Sequence, residues 1–237
     1  DLHTPRRRQR QMCIRDRATP SEMERMRGHV ENSMKEGAMG IGSSLIYAPG
    51  DYASTEELTE LSKVASEYGG MYISHLRSEG TNLLEALEEL ISISRNANIP
   101  AEVYHLKASR EPNWSKLDDV IKRIEEVRKE GLQITADIYT YNASSTGLTG
   151  VIPTWVQEGG HRAWINRMKD PEVRPRLLAD IREQLDEQPP EGILLVGFKT
   201  SKMSRKYLAK TVAEAAAMRG QTPEEAIVDM VIEDDHR

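Results

Sequence analysis

The sequence holds a single cysteine, Cys13, in 237 residues. That excludes a disulfide framework and a cysteine-rich zinc site, since both need several thiols at defined spacing. No apolar run approaches the roughly 20 residues that span a bilayer, and the amino end shows no signal peptide. A soluble, cytoplasmic protein with no membrane partner is therefore expected. No Gly-x-Gly-x-x-Gly turn opens any predicted helix, which disfavours a dinucleotide-binding sheet.

Hydrophobic residues make up 38% and charged residues 30% of the chain, enough for a core beneath a well-solvated surface. The length admits one large domain or two small ones. The net charge of −6 conceals an asymmetry, because residues 1–17 carry six arginines against two aspartates. An acidic body argues against nucleic acid as a partner. Residues 1–17 are read as a disordered or artefactual basic tail and are set aside, Cys13 with them.

From residue 18 a rhythm begins. Thr19-Pro20-Ser21-Glu22 is a helix start, with a cap, a first-turn proline and the acid of a capping box. That helix runs to Glu36 and stops at Gly37. Ser54 caps the next, whose buried face is Leu58, Leu61, Ala65 and Tyr68. Another spans Asn82 to Asn96. Ser115 caps a further one over Lys116–Glu130, burying Leu117, Val120, Ile121, Ile124 and Val127. Strands fall between the helices, near residues 41–47, 71–76, 101–106 and 132–139. Strand and helix alternating at about thirty residues predict βαβ units in a parallel sheet. The fold class is α/β: a partial (β/α)8 TIM-type barrel of about four βα units, over residues 18–150.

Beyond Tyr139 the rhythm stops. Residues 151–237 form a mostly helical segment, with one strand candidate (Ile193 to Phe198). Helices are expected near Asp170-Pro171, over Tyr207–Met218, and from Thr222-Pro223. The segment reads as a lid insertion over the barrel mouth, or as ordinary helices of a divergent half.

Two histidines organise the chemistry. His75 and His105 each close a β-favouring run, side by side at the carboxyl ends of consecutive strands, where barrels keep their active sites. Neutral imidazole is the commonest protein ligand for zinc. The other histidines, His3, His29, His161 and His236, lack this placement and read as surface residues. Lys107, two residues after His105, points to the same face if the strand continues and would hold a substrate carboxylate. It reads equally as a solvated loop lysine. Arg77 and Glu79 stand near His75 and could pair with each other. Asp137 could orient a histidine. Tyr139, Tyr141, Ser144 and Ser145 offer hydroxyls that could polarise a carbonyl, or serve only turn chemistry.

These residues carry a family resemblance. Gly37 to Gly50, Ser54 to Leu58, Tyr72 to Glu79, His105-Leu106-Lys107 with Asn113-Trp114, and Thr135 to Leu148 follow one another as in the N-acyl-D-amino-acid deacylases of the amidohydrolase superfamily. Trp155 to Gly160 and Thr211 to Glu233 look like that family's lid. The resemblance implies a Zn2+-dependent hydrolase acting on the amide of a small-molecule N-acyl-D-amino acid and releasing a carboxylate and a D-amino acid. It implies His75 and His105 as zinc ligands, and Lys107, Tyr139 and Ser145 as substrate-binding residues.

The departures are as specific. The family's first-strand His-x-His and its zinc-binding cysteine would lie upstream of residue 18. Its general base, an aspartate on the eighth strand, would lie downstream of residue 237, so no catalytic base is assigned here. Tyr104 replaces a histidine of many relatives, and Thr140 a proline. The chain is thus expected to be an internal fragment, weak in zinc binding and inactive alone. Rival readings are a related amidohydrolase of cyclic amides or dipeptides, a non-catalytic α/β binding protein with packing histidines, and a nucleic-acid adaptor acting through the tail. The sequence specifies no oligomeric state.

Overall fold

A computed structural model describes residues 18–234. Cys13, His3, His236 and the basic tail lie outside the described residues. The chain divides between Asn142 and Ala143 into two compact units.

In the first unit, helix α1 (Pro20–Lys35) leads into β1 (Gly40–Ser44), α2 (Thr55–Glu67), β2 (Met71–His75), α3 (Leu83–Ala97), β3 (Ala101–Val103), α4 (Leu117–Lys129) and β4 (Ile134–Ala136). The four strands are all parallel and lie in sequence order. A helix fills each interval because two parallel neighbours need a long crossover. Local chemistry sets the helix starts. Thr19 accepts from the Glu22 amide while Glu22 reaches back to the Thr19 amide, and Ser54 accepts from Glu57, satisfying N–H groups that the first turn leaves unpaired.

Strand alternation gives the sheet two unlike faces. Tyr72, Ala101, Val103 and Ile134 are buried and join Leu58, Leu87, Leu90, Ile91, Val120 and Val127 of the helices in one core. The opposite face carries the row Gly42, Ile73, Glu102 and Thr135, in register. Thr135 there donates to Glu102 at 2.9 Å. Gly40 has no room for a side chain, since a Cβ would fall 1.9 Å from the Met71 carbonyl oxygen.

Core assignments differ from the sequence reading at three positions, Leu117 being only partly buried. Tyr68 is exposed and hydrogen-bonds Glu31, because α2 has already ended at Glu67. Ile121 is exposed beside buried Val120, since the face of α4 is narrower than its apolar composition. Helix α4 also begins later than expected. Glu111–Lys116 forms a 3₁₀ turn, and Ser115 makes no cap.

The second unit contains α5 (Thr154–Gln157), α6 (His161–Lys169), α7 (Arg174–Glu187), α8 (Ser201–Tyr207), α9 (Val212–Arg219) and α10 (Pro223–Glu233) around their own core of Trp164, Met168, Leu177, Ile181, Ala226 and Ile227. The Ile193–Phe198 run forms no strand of a sheet. Leu194 bridges Thr211 alone, in antiparallel sense, and Leu194 and Val196 are exposed. The expected Tyr207–Met218 helix is broken at Leu208–Lys210, where Ala209 takes a φ of 61° and donates its N–H to Leu195. No helix among the described residues is long and apolar enough to cross a membrane.

Candidate metal centre

The carboxyl ends of β2 and β3 carry a cluster of ionisable groups, His75, Glu79, His105 and Lys107. His75 is the last residue of β2. His105 lies two residues beyond β3, in a turn, with a φ of 41°. That left-handed conformation is uncommon outside glycine. It is held from both sides, because the His105 N–H donates to the Asp137 carboxylate and the Leu106 N–H to the Asp137 carbonyl at 2.8 Å. Asp137 therefore fixes the backbone of His105 rather than its ring.

The turn brings the two imidazoles edge to face, their centroids 4.5 Å apart at 88°. Glu79 reaches between them. Its Oε1 lies 3.7 Å from His75 Nε2 and 3.1 Å from His105 Nδ1. Lys107 donates to the same Oε1 at 2.5 Å, to His105 Nδ1 at 2.7 Å and to the His105 carbonyl at 3.2 Å. The other Glu79 oxygen accepts from Ser109 Oγ at 3.3 Å, and the Ser109 N–H anchors the Glu79 carbonyl at 2.7 Å. The His75, Glu79, His105 and Lys107 side chains are 11%, 11%, 16% and 18% exposed, so little water screens their interactions.

Hydrogen bonds fix which ring nitrogens carry lone pairs. His75 Nδ1 lies 3.1 Å from the Leu76 carbonyl, an acceptor. It must be the protonated nitrogen of a neutral ring, which leaves Nε2 as a lone pair. An ammonium can only donate, so His105 Nδ1 accepts from Lys107. Burial pushes the His75 imidazole below its ordinary range, against the opposing charge of Glu79. Three acceptor atoms, from His75, Glu79 and His105, thus converge within 4.8 Å of one another. Acceptors facing acceptors favour a cation between them. The 3.1 and 3.7 Å separations bracket the ~3.3 Å edge of a tetrahedron around an ion with bonds of about 2.0–2.1 Å. The donor set therefore fits a divalent metal of the zinc type.

Of the residues singled out in the sequence, His75, His105 and Lys107 come together. Strand alternation is not what brings Lys107 in, since β3 ends at Val103. The turn at His105 folds it back. Tyr139 lies alongside, its ring 6.1 Å from His105 and 5.5 Å from the Lys107 ammonium. Ser145 is exposed and belongs to the second unit. Tyr47 packs edge-on against His75 at 5.3 Å, and Tyr104 lies 4.4 Å from His105.

Arg77 and Glu79 do not pair with each other. Arg77 forks onto Glu89 of α3 with two 2.8 Å bonds and clamps the Asp51 and Ala53 carbonyls. That frees Glu79 for the histidines. Its role escaped the sequence reading because Arg77 was the nearest opposite charge along the chain. The available signal was Lys107, a cation due on the same end of the sheet.

No protein-family model matches the chain. D-aminoacylase from Alcaligenes xylosoxydans xylosoxydans is 35% identical over 131 residues, which cover 55% of this chain and 27% of that protein. The N-acyl-D-glutamate deacylase of the same organism is 33% identical over 124 residues, covering 52% of this chain and 25% of that protein. The chain thus spans about a quarter of the length of these curated relatives. Among solved structures, N-acyl-D-glutamate deacylase from Bordetella bronchiseptica, complexed with zinc and a phosphonate inhibitor, superposes with a TM-score of 0.69 at 24% identity, over 92% of this chain and 38% of that one. A D-aminoacylase mutant in complex with copper chloride gives 0.68 at 25% identity, over 94% and 39%.

Proposed function

We propose, from the premise that this chain resembles the N-acyl-D-amino-acid deacylases in sequence and fold, that it is a segment of a zinc-dependent amidohydrolase. The whole protein would cleave the amide of an N-acyl-D-amino acid to a carboxylate and a free D-amino acid. The observation that carries this reading is the convergence of His75, Glu79 and His105 beside Lys107, at the strand ends where barrel enzymes bind substrate.

His75 would hold the ion through the Nε2 lone pair that its hydrogen bond leaves open, with the His105 imidazole beside it. A zinc ion at this position supplies Lewis-acid polarisation of an amide carbonyl. Lys107 supplies a cation for the substrate carboxylate, as a point charge on a flexible stem. Tyr139 borders the same space with a hydroxyl and an aromatic face. Ser145 enters the reading as a substrate-binding residue from the resemblance alone. Arg77 ties the loop after β1 to Glu89 of α3 through the Asp51 and Ala53 carbonyls. The four parallel βα units are read as part of a (β/α)8 barrel, and the helical unit from residue 151 as its lid.

Two protein imidazoles and no assigned general base fall short of a complete hydrolytic site. The 237-residue chain by itself is therefore expected to show no deacylase activity. The test is turnover of N-acyl-D-methionine, N-acyl-D-glutamate and a hydantoin by a full-length protein containing this segment, with and without zinc. Zinc-dependent release of D-amino acid, lost in His75→Ala and His105→Ala, is the expected result. Turnover of the hydantoin alone would move the assignment to a cyclic-amide hydrolase. Retained activity in both histidine variants would refute the site.

A further inference from the structure

The His75 ring has one hydrogen bond to its own backbone segment, from Nδ1 to the Leu76 carbonyl at 3.1 Å. The terminal torsion of a histidine is broad and two-fold, so a bond to the adjoining residue does not by itself fix the ring plane. Packing supplies the other constraint. Tyr47, in the loop after β1, stands edge-on to the His75 ring at 5.3 Å and 75°.

The loop that carries Tyr47 is pinned to β2 at two points. At its start the Leu45 N–H donates to the His75 carbonyl at 3.0 Å and extends the strand ladder. Further on, Arg77 donates from Nη1 to the Asp51 carbonyl at 2.7 Å and from Nη2 to the Ala53 carbonyl at 2.9 Å. The Asp51 N–H donates in turn to the Tyr47 carbonyl at 3.0 Å. A continuous run of hydrogen bonds thus leads from the guanidinium to the residue packed on His75. Glu89 of α3 accepts from Nε and Nη2 of Arg77 at 2.8 Å each and sets where the guanidinium sits. Gly50 leaves no room for a Cβ against the Ser44 carbonyl, so the loop turns back tightly on the end of β1.

We propose that Arg77 is a positioning residue for His75, holding the loop after β1 so that the Tyr47 ring fixes the plane of the His75 imidazole. The proposal rests on the reading of His75 as a metal ligand, and it gives Arg77 a part in the site beyond the stability of the first unit. A ligand whose ring is already oriented loses less rotational freedom when an ion binds, which is how supporting residues raise affinity without touching the metal. Arg77 suits this task because its planar fork serves a carboxylate and two carbonyls at once, which one ammonium cannot do.

A clamp that only adds stability would not act through Tyr47, and the test reads that difference. In the 237-residue chain, labelled at histidine and tyrosine, ring-to-ring nuclear Overhauser contacts between Tyr47 and His75 are recorded with and without zinc. They are expected in wild type, lost in Arg77→Met, partly recovered in Arg77→Lys, and retained in Leu87→Ala, which loosens the same unit elsewhere. Zinc affinity is then measured by competition with a chromophoric chelator in a full-length protein containing this segment. Arg77→Met and Tyr47→Ala should each weaken it by about tenfold, the lower end for a partner that orients a ligand. The double variant should stay within about threefold of the weaker single, because both changes remove the same constraint.

Contacts that persist in Arg77→Met, or that vanish equally in Leu87→Ala, overturn the positioning. So does an additive, roughly hundredfold loss in the double variant, which is what two independent effects would give. Contacts that respond as expected, with zinc affinity unmoved by His75→Ala, keep Arg77 as the residue that orients His75 and sink the reading of His75 as a ligand.

Discussion

The clamp at Arg77 is open to a direct energetic test, Arg77→Met. It removes two charge-assisted hydrogen bonds to Glu89 and two to the Asp51 and Ala53 carbonyls, 2.7–2.9 Å in length. Glu89, 11% exposed, is then left with the Thr55 hydroxyl, which donates to it at 2.8 Å. Breaking a fully buried ion pair costs about 3–5 kcal/mol. The Arg77 side chain is 33% exposed, so solvent screens part of the interaction, and about 2–3 kcal/mol is the discounted figure. Two units that unfold separately would blur a whole-chain melt, so the readout is amide hydrogen exchange in the core of α3, around Leu87–Ile91. A 2–3 kcal/mol loss means protection reduced by about 30- to 150-fold, at 1.4 kcal/mol per tenfold. Arg77→Lys should recover only part of this, because a single ammonium cannot fork onto a carboxylate and two carbonyls. The double variant Arg77→Met/Glu89→Leu should be less destabilised than the sum of the singles, since no stranded carboxylate remains. Protection within about threefold of wild type in Arg77→Met, or strict additivity in the double variant, would refute the clamp.

Leu87→Ala, at a side chain with no exposure, should destabilise the first unit by about 2–5 kcal/mol; exchange in α3 reports the loss, and α7 should be unaffected. Thr211→Ala removes one half of the capping box with Glu214, whose amide it accepts at 3.1 Å. About 1 kcal/mol of local protection in α9 should go with it, and a change in α4 of the first unit would count against that reasoning. Glu224 supplies a pH test in the second unit. Burial alone would raise its carboxyl, but hydrogen bonds from Arg182 and at the start of α10 outweigh this and hold it below the usual range. The folded state therefore favours the ionised form. This stability is present above the unfolded carboxyl pKa, about 4.3, and is lost as pH falls through the lower folded value. The difference between wild type and Glu224→Gln in α10 protection should narrow below that pH, and a constant difference down to pH 3 would be the wrong outcome.

Several features were legible along the chain because they depend on neighbours in sequence. Thr19, Ser54 and Thr222 start helices through bonds made within three residues, and those bonds can be read one turn at a time. The alternation of strand and helix up to Tyr139 was legible for a related reason. Each apolar face repeats with the period of its own element, and the four parallel strands follow in sequence order. The placement of His75 and His105 at adjoining strand ends follows from that order alone.

Other features required partners that sequence spacing does not supply. The Ile193–Phe198 run has the composition of a strand, yet a strand exists only when another backbone takes up its hydrogen bonds. Only the short stretch at 209–212 does so. Arg77 bypasses its sequence neighbour Glu79 for Glu89, because a helix packed across the sheet brings that carboxylate closer. Lys107 reaches His105 through a left-handed turn that Asp137, from the next strand, holds in place. By itself, then, the sequence determined the alternating elements up to Tyr139, their order and the two imidazoles. Only the tertiary structure decided that a glutamate stands between those imidazoles and that a lysine hydrogen-bonds to one of them. Periodicity is a property of one segment, whereas the pairing of charges is settled by which segments pack together.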